Sequence, residues 1–245
     1  MATTVQSALG AALLVSCTIC SGAASAASVS YYLNQSNVTG LPDGTNYLKV
    51  TLDDNTPSST PTYDNLITFT VEVLGSLTPD GSNFGIQSFG FNLAGNASLS
   101  AGDISGLDSL WSVGFDQNLD GFGLHDVAVS DGGQQRKDPL TFSIDVNGDS
   151  FGDYFDSSQP GGQGPSWFSA HVADIRTYTG TDNGDSSGIP CTLPGDGCIE
   201  LSSAWFGSQG GGGRPPAAIP VPAAVWLFGS GILALTGVAR TRKTT

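Results

Sequence analysis

From Ser28 to Phe206 the chain alternates apolar and polar positions with a period of two, which sends successive side chains to opposite faces of a strand. Leu66–Leu74 has the plainest alternation: Ile67, Phe69, Val71 and Val73 share one face, and Thr68, Thr70 and Glu72 the other. Phe89, Phe91 and Leu93 repeat the pattern, as do Trp111, Val113 and Phe115, then Leu140, Phe142 and Ile144. Val29–Leu33, Tyr47–Leu52, Leu124–Val129, Trp167–Ile175 and Leu201–Phe206 also read as strands. Between them, Asp43-Gly44, Asp80-Gly81, Asp120-Gly121 and Asp131-Gly132-Gly133 are turn sequences. No stripe of helical period precedes Ala223. The pattern predicts an all-β fold, an antiparallel β-sandwich of jelly-roll-like kind, long enough for a single core.

Both ends break the alternation. Residues 1–26 read as a signal peptide, with an apolar centre at Ala8–Ile19 and a small-residue cleavage pattern at Ala24-Ser25-Ala26. Leu14-Val15-Ser16-Cys17 offers a lipoprotein signal as the alternative. The β-sandwich domain is expected over residues 27–207. Residues 208–218, with four glycines at 210–213 and then Pro215-Pro216, form a spacer with no core of its own. From Ile219 onward come a proline-rich start (Pro220, Pro222), an uncharged apolar run over 223–239 and a basic end (Arg240, Arg242, Lys243). As a helix the run spans about 25 Å, near the thickness of a bilayer's hydrocarbon core. The prolines mark its start, and the basic cluster holds that end in the cytoplasm by the positive-inside rule. The expectation is one C-terminal transmembrane helix anchoring an exported domain.

The same tail resembles the Val-Pro-Leu-Pro-Ala variant of the bacterial PEP-CTERM sorting signal. Ile219-Pro220-Val221-Pro222-Ala223-Ala224 carries the likeness, followed by Trp226-Leu227-Phe228-Gly229-Ser230-Gly231 and the Arg/Lys end. Val221 stands where the name-giving signal has Glu, and Ile219 where this variant has Val. The resemblance implies processing by exosortase, a transpeptidase-like membrane enzyme, and association with exopolysaccharide. It implies a protein tail-anchored in the inner membrane before processing and then at the cell surface or in the extracellular matrix.

Charge agrees with export and narrows the partners. All 22 acidic residues and five of the eight basic ones lie in residues 27–219, so that part carries 5 − 22 = −17. Such a surface argues against nucleic acid and against anionic lipid as partners. Removing the signal peptide leaves two cysteines, Cys191 and Cys198, separated by Thr-Leu-Pro-Gly-Asp-Gly. Outside the cytoplasm this spacing predicts a local disulfide, and no further Cys or nearby His completes a zinc set.

Several patterns carry candidate chemistry. Asp145, Asn147, Asp149, Asp153 and Asp156 have the spacing of a calcium loop, although Ser150 sits where the sharp turn takes Gly. Asp116, Asn118 and Asp120 are a weaker version, or a hairpin connection. Gly148–Gly152 and Gly184–Gly188 match Gly-x-Ser-x-Gly, yet neither has the strand-then-helix context of a nucleophile elbow, and His125 and His171 are the available bases. Both histidines read as interior or rim residues. The two glutamates, Glu72 and Glu200, lie in strands without a glycosidase motif. The adjacent aromatic pairs are the stronger lead: Tyr31-Tyr32, Tyr154-Phe155, Trp167-Phe168 and Trp205-Phe206. In a strand one of each pair faces outward, where it either stacks on a sugar ring or covers the sheet. The expected function is a structural or carbohydrate-binding envelope component, not an enzyme. The alternative is a secreted polysaccharide hydrolase or lyase.

Overall fold

A computed structural model of the chain describes residues 28–60, 65–95, 97–180 and 198–208. The strands are β1 (Ser28–Leu33), β2 (Gln35–Ser36), β3 (Leu48–Pro57), β4 (Asn65–Val73), β5 (Gly85–Phe91), β6 (Ile104–Ser105), β7 (Ser112–Leu119), β8 (Gly123–Ser130), β9 (Leu140–Ile144), β10 (Phe168–Gly180) and β11 (Cys198–Gly207). They form two antiparallel sheets, ordered β1-β3-β4-β9-β6 and β2-β11-β10-β5-β8-β7. The fold is therefore all-β, with only two short 3-10 turns, Ala101–Asp103 and Phe151–Tyr154, as helical elements among the described residues.

The alternation read in the sequence sets the register. Val50 pairs with Val71 and Leu52 with Phe69 across β3 and β4, while Phe69 pairs with Phe142 of β9. A shift of one residue would turn every one of these rings and branched chains to the other face. Both sheets send aromatic side chains into one core. Phe69 stacks on Phe142 at 4.9 Å within its own sheet and meets Phe91 of the other sheet at 5.1 Å. Phe89 and Phe168 stack at 5.8 Å. Phe69, Phe89, Phe91, Phe142 and Phe168 are all fully buried, so this cluster holds the two sheets face to face.

Two expectations are corrected. Trp111, Val113 and Phe115 do not all reach the core: β7 is an edge strand, and Phe115 is 39% exposed. Tyr154 and Phe155 are both buried, because they belong to a 3-10 turn and the residue after it, where the one-in, one-out rule of strands does not hold. The expected signal peptide over residues 1–26, most of the expected spacer and the expected C-terminal helix lie outside the described residues. Among the described residues no helix is long and apolar enough to cross a membrane.

Candidate functional site

The outer face of the six-stranded sheet carries the site. Ala170 and Phe206 point into the core, so their strand neighbours His171 and Trp205 point away from it. Register brings the two side by side, and it continues from His171 to Ser88, from Ser88 to Ser130 and from Ser130 to Ser112. The His171 and Trp205 rings stack at 4.7 Å with an 18° interplanar angle, and both stay partly exposed. β5 carries an extra residue opposite the step from His171 to Val172.

The next row over is built from small residues: Gly207, Ser169, Gly90 and Ala128. They make room for side chains from the β7–β8 hairpin. A Cβ on Gly207 would lie 2.3 Å from Phe122, and one on Gly90 2.3 Å from Leu119 and 3.3 Å from His125. His125 Nδ1 faces the Gly123 carbonyl at 3.2 Å, so in the neutral ring it carries the proton. Nε2 then accepts from the Ser169 hydroxyl at 3.0 Å. This has the spacing of a nucleophile and its base, but both side chains are fully buried. Burial pushes the His125 pKa down to about 4, against the opposing pull of the Gly123 carbonyl. The segment before β10 seals the patch. Gln159 N–H donates to the Leu124 carbonyl at 3.1 Å, and Ser158 Oγ to the Phe122 carbonyl at 2.6 Å. Gly123 is required here: its φ is +85°, and a Cβ would come within 1.7 Å of the Gln159 oxygen.

On the other side stands an Arg136 cluster. Its Nη1 donates to Asp174 Oδ1 at 2.8 Å and to the Asn83 carbonyl at 3.1 Å, and Nε donates to Gln87 Oε1 at 3.3 Å. Asp174 occupies the β10 irregularity with φ of +56°, and its second oxygen accepts from Asn83 N–H at 3.1 Å. The His171 pKa falls to about 4, chiefly through burial and then through the Arg136 charge, against the pull of Asp120 and Asp131. At neutral pH both histidines are uncharged.

Beyond Trp205, just after β2, lies Asn37. Trp205 N–H donates to Asn37 Oδ1 at 3.0 Å, and Asn37 N–H to the Trp205 carbonyl at 3.1 Å. Asn37 Nδ2 reaches Asp120 Oδ2 at 3.4 Å. Gln163 N–H donates to the Gly121 carbonyl at 2.7 Å, which brings the Asp120-Gly121 turn, Asn37 and Gln163 to one corner. The arrangement offers an aromatic plate ringed by amide and carboxylate groups, the composition of a site that orients an amphipathic ligand.

The other aromatic pairs divide between core and surface. Tyr31 packs on Phe155 at 4.6 Å and Tyr32 is exposed, while Trp167 packs against the core beside buried Phe168. Four of the five calcium-loop residues, Asp145, Asp149, Asp153 and Asp156, accept hydrogen bonds within the fold. Asp153 Oδ2 accepts from the Ser150 N–H and hydroxyl at 2.8 Å each, capping the second 3-10 turn. Asp149 accepts from the Tyr154 hydroxyl, whose pKa is pushed far up by burial and that carboxylate. Asp145 accepts from Ser58 Oγ at 3.0 Å, and Asp156 from Ser157 N–H at 2.7 Å. Asn147, Asp149, Asp153 and Tyr154 line a cleft of about 260 Å³ with Leu93, Ala97 and Ser98. Among the described residues no group of three or more His, Cys, Asp or Glu is placed to hold a metal ion.

Ser150 of the first Gly-x-Ser-x-Gly match is thus a cap; the second match, Gly184–Gly188, lies outside the described residues. Glu72 pairs with Lys49 at 3.5 Å and Glu200 with Arg176 at 3.3 Å, both on the surface. Cys198 opens β11 and is disulfide-bonded, while Cys191 lies outside the described residues. So do Pro220, Val221, Pro222, Ala223, Trp226, Arg240, Arg242 and Lys243. Sequence reasoning singled out Trp205 but missed Asn37, Arg136, Asp174 and Ser169. Asp120 stood out in the sequence as a turn residue and as part of the weaker calcium-like run with Asp116 and Asn118. No family model matches the chain, and neither a curated protein nor a solved structure matches it.

Proposed function

We propose that the chain is an exported cell-envelope or extracellular-matrix protein whose β-domain, a jelly-roll-like sandwich in this reading, holds exopolysaccharide. Residues 1–26 route it across the membrane. The PEP-CTERM-like tail over 219–245 anchors it through the apolar run at 223–239 and presents it to an exosortase-like enzyme. The disulfide at Cys198 supports this route, because such bonds persist in oxidising compartments. The observation that carries the binding role is the outward Trp205–His171 stack beside Asn37 and Asp120. The hydrolase alternative draws no support from the Ser169–His125 pair, since a substrate cannot reach either atom in this fold.

Incubating the exported protein with exopolymer from the producing cells tests the reading. Sedimentation of the protein with the polymer, without release of reducing ends or unsaturated sugars, is the expected result. Sugar release would overturn it in favour of an enzyme.

A further inference from the structure

We infer that the face of Trp205 turned away from His171 is a stacking subsite for an uncharged glycan; this rests on the carbohydrate-binding reading. β2 lies on the far side of β11 from β10, so two parallel rings on β10 and β11 leave the second Trp205 face looking toward β2 and Asn37. His171 holds the indole in one orientation, and two bonds, from Trp205 N–H to Asn37 Oδ1 and from Asn37 N–H to the Trp205 carbonyl, fix the strand beneath it. A plate held this way loses little freedom when a ligand lands on it.

The polar groups at that face suit hydroxyls. Asp120 is exposed, and its link to Asn37 Nδ2 is long at 3.4 Å, so a sugar hydroxyl that donates to the carboxylate and accepts from the amide replaces a weak contact with two better ones. Charge decides between glycan classes. Arg136 is already neutralised by Asp174, and the chain as a whole carries −14. No free cation of this cluster faces the subsite, so a polyuronate or sulfated polymer meets net repulsion. An uncharged chain needs only the plate and the hydroxyl partners.

The test separates the inference from the reading beneath it. Exopolymer from the producing cells is divided on an anion exchanger into neutral and acidic pools, each cast into native gels, and the full exported protein is run through them. Retardation by the neutral pool is expected, unchanged between about 50 and 500 mM salt, a range over which screening lengths shrink severalfold. Trp205→Ala should weaken it at least about tenfold, and Trp205→Phe should restore part of it. Because Trp205→Ala also removes the His171 stack, Asp120→Ala, at an exposed position, serves as the second variant and should weaken retardation too. Retardation by the acidic pool that fades with salt would overturn the uncharged-ligand inference and leave carbohydrate binding standing. So would full retardation of a folded Trp205→Ala protein. Passage of the wild type through both pools unretarded would overturn both.

Discussion

His125 is where a single side chain sets a property of the whole domain. Its pKa is about 4 in the folded chain and 6.5 in the unfolded one, so below 6.5 the unfolded chain binds the extra proton. The stability it protects is therefore fully present above pH 6.5 and is lost progressively as pH falls toward 4. A shift of that size corresponds to roughly 3 kcal/mol over the window. Urea midpoints measured at pH 7, 5.5 and 4 should fall in step, and His125→Gln should remove about half of that slope, the rest belonging to His171, whose pKa is likewise lowered to about 4. An unchanged slope in the variant would move the acid sensitivity elsewhere. His125 also shows what a sequence hides. Its place in a strand and its interior character were legible from Leu124–Val129, but its partner Ser169 lies 44 residues away and is brought to it by the register of β5, β8 and β10.

Just after β11, the Ser208 hydroxyl ties the end of that strand to the start of β10. Ser208 Oγ accepts from Trp167 N–H at 3.0 Å and Phe168 N–H at 3.3 Å, and shares a hydrogen bond with Ser166 Oγ at 3.1 Å. Ser208→Ala removes the acceptor from one buried and one part-buried N–H donor, and a buried donor left unsatisfied costs about 1–3 kcal/mol. A drop of about 1–3 kcal/mol in unfolding free energy is expected. A loss within error would mean that water takes over the acceptor role. Elements of this length were legible wherever side chains alternate for five residues or more, as in β4 and β9. β2 and β6 were not, since two residues carry no period. The β10 irregularity that aims Asp174 at Arg136 left no mark either, because Asp at a positive φ looks in sequence like any other strand aspartate. The Trp205 plate was half legible: the Trp205-Phe206 pair announces one outward ring, but its neighbour His171 comes from strand pairing alone.

At the scale of the molecule, the proposed account joins the acidic β-domain, the disulfide-bonded Cys198 and the partly exposed Trp205 ring to a chain that would leave the cytoplasm and be released from a membrane anchor. Pro220 and Pro222 are the residues that separate a processed signal from a plain anchor. An anchor needs apolar length and flanking charge, whereas a processing enzyme needs an extended segment at the membrane surface, which prolines enforce on the residues before them. The glycines at 210–213 would hold the folded domain clear of such an enzyme. The most direct test is mass mapping of both termini of the protein taken from its native cells. The account predicts a mature chain starting at Ala27 or Ser28 and lacking peptides over 225–243, with a Pro220→Ala/Pro222→Ala variant keeping those peptides and staying in the membrane fraction. A wild-type chain with its tail intact, in cells holding an active exosortase, would contradict it.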